Sequence, residues 1–169
     1  MSPRIIITGS IQCGKSTLVR SVLRDLPYKI SGYFSQKIMN SEKGLDEIWL
    51  FDYNSDLKSC FATKMKTGKF ATRLDQFDSF LQQIISSNKM AASQIFCIDE
   101  IGFLEKKSTI LKSFVQTFQS FKIPIILVVQ KRVLPDFQFY FKTPPWQIYD
   151  LDFVDFDSTK DQITALLRN

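Results

Sequence analysis

The stretch Gly9-Ser10-Ile11-Gln12-Cys13-Gly14-Lys15-Ser16-Thr17 satisfies the pattern G-x-x-x-x-G-K-[ST] at every fixed position. Gly9 and Gly14 let the backbone bend until successive N–H groups point inward at phosphate oxygens. A helix opening near Gly14 adds the positive end of its dipole. Lys15 can then reach β- and γ-phosphates, and the Ser16 hydroxyl can ligate Mg²⁺. The pattern carries this meaning only between a strand and a helix, and both can be read here. Upstream, Arg4 to Thr8 holds the unbroken run Ile5-Ile6-Ile7, typical of a parallel strand covered on both faces. Downstream, Leu18, Val19, Val22, Leu23 and Leu26 keep helical spacing until Pro27 stops it. Residues 9–17 are therefore the expected phosphate-binding loop, with Lys15 also acting in catalysis.

A second acidic element follows the apolar run Ile95-Phe96-Cys97-Ile98, which leads straight into Asp99-Glu100. Asp at the end of such a strand is where a phosphate-loop protein holds its metal, so Asp99 is expected to share Mg²⁺ with Ser16. The adjacent Glu100 is placed to polarise a water for attack on the γ-phosphate. The plainer alternative is that either carboxylate caps the segment that follows. After a third strand, Ile123 to Val129, the residues Gln130-Lys131-Arg132 reach the same sheet edge, where open α/β sheets bind ligands. Gln130 is a candidate sensor of the γ-phosphate or water. Lys131 and Arg132 are candidates to neutralise developing charge, with a solvated loop as the competing reading.

The remaining pattern fills in a sheet. Ile30 to Met39 and Glu47 to Tyr53 read as a β-hairpin joined through Asn40-Ser41-Glu42-Lys43-Gly44, which Ser59 to Thr63 can extend into a meander. Lys64 to Arg73 is basic and aperiodic and reads as a loop. Helices are expected around Phe77 to Ile85 and Leu111 to Phe118, and a last short strand at Trp146 to Tyr149. A closing helix is expected over Ser158 to Leu167, with Ser158 as its N-cap. Phe137, Phe139 and Phe141 alternate in a segment flanked by Pro135 and Pro144-Pro145. They fit a stacking wall, a partner surface or a hydrophobic loop laid on the sheet. Strands alternating with helices around an inserted hairpin argue for an open α/β sheet covered on both faces.

Composition narrows the chemistry. The 169 residues suit one domain spanning 1–169, and 44% hydrophobic with 23% charged residues excludes fibrous and disordered classes. There is no histidine, which removes Ser-His-Asp and Cys-His schemes. Cys13, Cys60 and Cys97 fit neither a disulfide framework nor a zinc site. The run from Ile123 to Val129 is too short to span a bilayer, and the amino terminus lacks a signal-peptide pattern, so a cytoplasmic protein without membrane association is expected. A net charge of +5 suits a polyphosphate ligand or nucleic acid, is also common on inert surfaces, and decides little by itself.

Taken together, Gly9 to Thr17 and Asp99-Glu100-Ile101-Gly102-Phe103-Leu104-Glu105 resemble the thermophile-type, or cancer-related, nucleoside triphosphatases. In that family of small P-loop NTPases the acidic motif continues Asp-Glu-Ile-Gly-x-Met-Glu, and here Leu104 replaces the Met. Ser31-Gly32-Tyr33-Phe34 and Gly68-Lys69-Phe70 are similar to two further family elements, so the resemblance spans essentially the whole chain. Departures are Ile11-Gln12-Cys13 in place of a Pro-Gly-containing loop, the absence of a Glu-x-Arg element at Ser35-Gln36-Lys37-Ile38, Phe103 where Lys is usual, and Phe156-Asp157-Ser158 for Asn-Arg-Asp. The resemblance implies a mainly parallel RecA-like sheet and slow Mg²⁺-dependent hydrolysis of ATP, GTP and other nucleoside triphosphates to diphosphate and phosphate.

Three classes compete on the residues. A stand-alone, monomeric triphosphatase needs only water. A P-loop kinase needs a second substrate site and a lid with arginines, and few arginines lie outside the termini. A non-hydrolysing regulatory module would have no use for Glu100. The basic run with Lys58, Lys64, Lys66, Lys69 and Arg73 reads first as a solvated surface. A place over the nucleotide mouth or a grip on nucleic acid are the alternatives, so nucleic acid is left open as a partner without being indicated.

Overall fold

The computed structural model describes residues 2–40, 44–86, 92–141 and 145–168. Among these, eight strands form one sheet in the order β5-β4-β3-β2-β6-β7-β1-β8. The parallel part comprises β1 (Arg4–Thr8), β2 (Ile30–Asn40), β6 (Ile95–Ile101), β7 (Ile125–Val129) and β8 (Gln147–Asp150). All five residues of β1 and of β7 are buried, as their apolar runs predict.

The expected hairpin is present as β2 with β3 (Leu45–Asp52), and the described residues extend it by β4 (Lys58–Lys64) and β5 (Phe70–Thr72). Of its turn, residues 41–43 lie outside the described residues, as does Pro144. The hairpin is continuous with the main sheet because β2 belongs to both parts. Its first half pairs parallel with β6 from Ile30 to Phe34, and Tyr33 to Asn40 pairs antiparallel with β3. Gly32 sits where the two pairings meet. Its φ is +106°, and a Cβ there would stand 1.9 Å from the Cys97 carbonyl oxygen, so only glycine lets β2 approach β6 this closely. Segment 64–73 was expected as a loop, but it contains β5, which gains its ladder by pairing Phe70 to Thr72 with Lys64 to Ala62.

Helices cover both faces. On one, α1 (Lys15–Arg24) and α5 (Phe156–Arg168) pack Leu18, Val22, Ile163 and Leu167 against Ile5, Ile7, Cys97 and Val128. On the other, α2 (Leu74–Ser86), α3 (Thr109–Thr117) and the short α4 (Leu134–Phe137) cover Ile6, Phe96, Ile98 and Leu127. Phe96 meets the rings of Phe114, Phe118 and Phe121 at 5.4 to 6.0 Å. Burying each such side chain contributes about 1.5–3 kcal/mol, which is why most of the sixteen phenylalanines are core rather than ligand platform. Phe137 and Phe141 are buried in this layer on helical turns, and Phe139 alone of that trio is exposed. The alternation in sequence is therefore helical packing and not a wall of three rings.

The buried Arg4 guanidinium donates to the Ile123 carbonyl at 2.8 Å and the Phe118 carbonyl at 3.1 Å, pinning the approach to β7. The α5 start differs from expectation. The helix opens at Phe156, and the Ser158 amide donates to the Asp155 carboxylate at 2.8 Å, so Asp155 is the cap and Ser158 lies inside the first turn. Among the described residues no helix is long and apolar enough to cross a membrane.

Candidate active site at the carboxyl edge of the sheet

The loop between β1 and α1 is held open by three unusual backbone angles. Gly9, Gln12 and Gly14 have φ of +139°, +65° and +95°. Gly14 in this left-handed conformation is the N-cap of α1, and the Leu18 amide returns to its carbonyl at 2.9 Å. A cavity of about 310 Å³ sits over the helix start, lined by Ile11, Gln12, Gly14, Lys15, Ser16 and Thr17 together with Glu100. Gly9, Ser10 and Cys13 do not line it, and the Cys13 amide donates to the Ser10 carbonyl at 3.4 Å. Lys15 is buried and arches back over the loop, donating from Nζ to the carbonyls of Gly9 at 3.1 Å and Ser10 at 2.6 Å, with Cys13 Sγ at 3.6 Å.

Asp99 lies beside α1, fully buried and behind the residues that line this cavity. Its Oδ1 accepts the Ser16 hydroxyl at 2.7 Å, while its Oδ2 has no hydrogen-bond partner among the described residues and faces the Arg20 Nε at 4.0 Å. Burial pushes its carboxyl up, and Ser16 and Arg20 oppose that shift. A buried carboxylate oxygen left without a donor, next to a hydroxyl at the head of the phosphate loop, suits a hard cation that takes oxygen ligands. Ser16 and Asp99 therefore fit Mg²⁺.

Glu100 is not at the strand end, where the sequence pattern places it. β6 continues through it to Ile101, and the β6–β7 register shows why. Asp99 pairs with Val128 and Ile101 with the next residue, Val129, leaving Glu100 as an extra residue in the ladder. Its φ of +126° is one that side chains rarely adopt, a strain of about 1–3 kcal/mol. Such a bulge re-aims a side chain. Here it turns Glu100 toward the phosphate loop, where Gln130 at the end of β7 donates Nε2–H to Glu100 Oε1 at 2.5 Å. Gln130 Oε1 in turn accepts from the Phe103 amide and Arg132 Nε, both at 3.3 Å.

The other cationic candidates stand further off. Lys131 is committed to Asp150 at 2.9 Å and Asp152 at 2.7 Å, and Arg132 lies over the Phe103 ring. Neither lines the phosphate-loop cavity. Asp152 was not singled out from sequence. It follows β8, the strand beside β1, and its carboxylate takes the Ser10 amide and the Ser10 hydroxyl at 2.9 Å each. Lys131, seconded by the Ser10 amide, holds this carboxyl down at about 2. The signal that could have found it is the Asp150-Leu151-Asp152 sequence at the carboxyl end of a strand paired with β1.

Glu105 also went unassigned by role. It is buried, and its Oε2 accepts the Gly102 amide at 2.9 Å, closing the turn after β6. Burial pushes its carboxyl from 4.5 up to about 7, with repulsion from Glu100 adding to the shift. An acid with a raised folded pKa stabilises the fold fully below its unfolded value and loses that contribution as pH rises through the folded value. The loss amounts to about 3 kcal/mol between pH 4.5 and 8. Glu105→Gln is expected to remove it. The variant should be more stable than wild type at pH 8 and no more stable at pH 4.5, read from urea midpoints at both values.

A phosphate loop on a mainly parallel sheet, with a Ser–Asp pair and an adjacent Glu at its carboxyl edge, defines a P-loop nucleotide-binding α/β protein. Comparison with known proteins narrows the class. The family model described as NTPase matches residues 4–164. Nucleoside-triphosphatase THEP1 of Sulfolobus acidocaldarius is 26% identical over 143 residues, covering 77% of this chain and 78% of the relative. Its namesake from Metallosphaera sedula is 27% identical over 143 residues, covering 83% and 78%. The crystal structure of THEP1 from Aquifex aeolicus superposes with a TM-score of 0.75 at 20% identity, over 98% of this chain and 99% of that one, and so shares the fold. The chain belongs to the NTPase family, that of the THEP1-type nucleoside triphosphatases.

Proposed function

We propose that this NTPase-family chain hydrolyses nucleoside 5′-triphosphates, ATP and GTP among them, to diphosphate and phosphate, acting as a single domain and a monomer. Three free cysteines suit a reducing cytoplasm. The observation that carries the reading is Glu100, strained into the ladder and turned to the wall of the cavity that Lys15 and Ser16 line.

In this reading the inward-facing amides of residues 9–17 and the α1 terminus bind the polyphosphate. Lys15 exchanges the Gly9 and Ser10 carbonyls for β- and γ-phosphate oxygens. Ser16 and Asp99 would hold Mg²⁺, which when bound draws charge from those oxygens. Glu100, its carboxylate fixed by the Gln130 amide, orients a water in line with the γ-phosphorus and accepts its proton as the water oxygen bonds to phosphorus. The bond from the γ-phosphorus to the bridging oxygen breaks, and the diphosphate leaves with its charge spread over Lys15.

The reading is tested by phosphate release from ATP, GTP, CTP and UTP. Release is expected with Mg²⁺ and should vanish when the metal is chelated. Tight nucleotide binding with no phosphate released from any of the four would refute hydrolysis.

A further inference from the structure

A second and larger cavity of about 590 Å³ lies on the other side of Glu100, which lines both. The volume is in the range of small-molecule sites. It is walled by the antiparallel arm, by the turn after β6 and by the residues following β7, and it contains nothing from the phosphate loop, β8 or α5. Its position in the sheet says which end of a triphosphate it faces. The phosphate loop presents the γ-phosphate toward Lys15 and Ser16, on the side where β6 carries Asp99 and Glu100. The cavity continues from there toward β2 and β3, away from β8. On that reading of the phosphate loop, it adjoins the γ-phosphate on the side of β6 away from β8.

The lining has two chemistries. Lys69, Lys107 and Arg132 are exposed cations at the mouth, and Glu105 is buried beneath them. Among the described residues the Lys69 and Lys107 ammonium groups make no ion pair or hydrogen bond, and Arg132 donates only through Nε. Beside these cations stand two rings, Phe70 and the half-exposed Phe103, the latter carrying Lys106 Nζ at 4.7 Å and the Arg132 guanidinium at 5.5 Å from its centroid, cations that a stacked base would displace. Two lysines without a partner among the described residues, and a guanidinium with N–H groups to spare, stand next to aromatic rings and match a ligand that carries a phosphate and a planar base together.

We infer that this cavity binds a nucleoside monophosphate while a triphosphate occupies the phosphate loop, its phosphate among Lys69, Lys107 and Arg132 and its base against Phe103 and Phe70. The inference rests on the reading of the phosphate loop as the triphosphate site. Phenyl faces stack on any base, so the four common monophosphates should bind within about tenfold of one another. A bound monophosphate fills one of the two cavities that Glu100 lines and leaves less room for the attacking water, so it is expected to slow phosphate release.

The test uses the whole chain saturated with Mg²⁺ and a non-hydrolysable ATP analogue, titrated calorimetrically with AMP, GMP, CMP and UMP. One saturable event is expected, at least tenfold weaker when Lys69→Ala and Lys107→Ala are combined, with the analogue's affinity unchanged. Adenosine and inorganic phosphate should each bind more weakly than AMP, and AMP should slow phosphate release in wild type but not in the double variant. Absence of saturable uptake, or uptake that ignores the double substitution, would overturn the inference. So would binding that leaves phosphate release untouched. An analogue that itself fails to bind would point instead to the phosphate-loop reading, and this inference would fall with it.

Discussion

Glu100→Gln is expected to lower phosphate release by about 10²- to 10⁴-fold, the range a positioned general base contributes, while nucleotide remains bound. The substitution keeps the side-chain size and keeps an oxygen to accept the Gln130 amide, now 2.5 Å away. The bulged backbone and its φ of +126° are retained as well. What disappears is the capacity to take the proton of the attacking water. The measurement pairs single-turnover phosphate release with binding of a fluorescent triphosphate on the same preparation. Unchanged turnover with intact binding would remove Glu100 from the chemistry.

Lys15→Ala is expected to act on both readouts, which separates it from the first variant. Hydrogen bonds from a charged donor contribute about 1.5–3 kcal/mol each, so nucleotide affinity should fall at least tenfold. Loss of a group that meets charge developing in the transition state adds about 10²- to 10³-fold in turnover. The fold should tolerate the change. In the free chain the ammonium clasps the Gly9 and Ser10 carbonyls at 3.1 and 2.6 Å, beside Cys13 Sγ at 3.6 Å, all within the loop itself. Equilibrium binding and kcat, measured beside a thermal melt, check all three parts. A variant that binds triphosphate as tightly as wild type would show that the loop amides suffice without Lys15.

The parts of this molecule that were legible in sequence are those where one local rule acts alone. β1 falls at Arg4–Thr8 because three consecutive isoleucines suit only a strand buried on both faces. Helix α1 and its loop follow from glycine spacing and a helical stripe. Where partners distant in sequence decide, the reading stops short. β5 takes its ladder from β4, so a basic, aperiodic segment becomes a strand. The bulge at Glu100 depends on the register of β7, which no pattern within β6 encodes. Asp152 is far from Ser10 in sequence, and only the parallel pairing of β8 with β1 brings them together. Lys131 illustrates the reverse case, because its position at the sheet edge suggested a role in charge neutralisation that Asp150 and Asp152 have already taken up.

The bulge in β6 also makes the residue assigned to the attacking water separable from the architecture. Ile98 and Ile101 both face the layer built on α2 and α3, although an odd number of steps divides them. Strict alternation forbids that unless one residue between them is surplus to the pairing, and Glu100 is that residue. A chain shortened by this single position would close a regular ladder with Asp99 and Ile101 already opposite Val128 and Val129, and no core side chain would change face. Phosphate loop, Ser16 and Asp99 would all survive such a deletion. On the role proposed for Glu100, hydrolysis rests on one inserted residue, and its deletion is expected to leave a chain that binds nucleotide without consuming it.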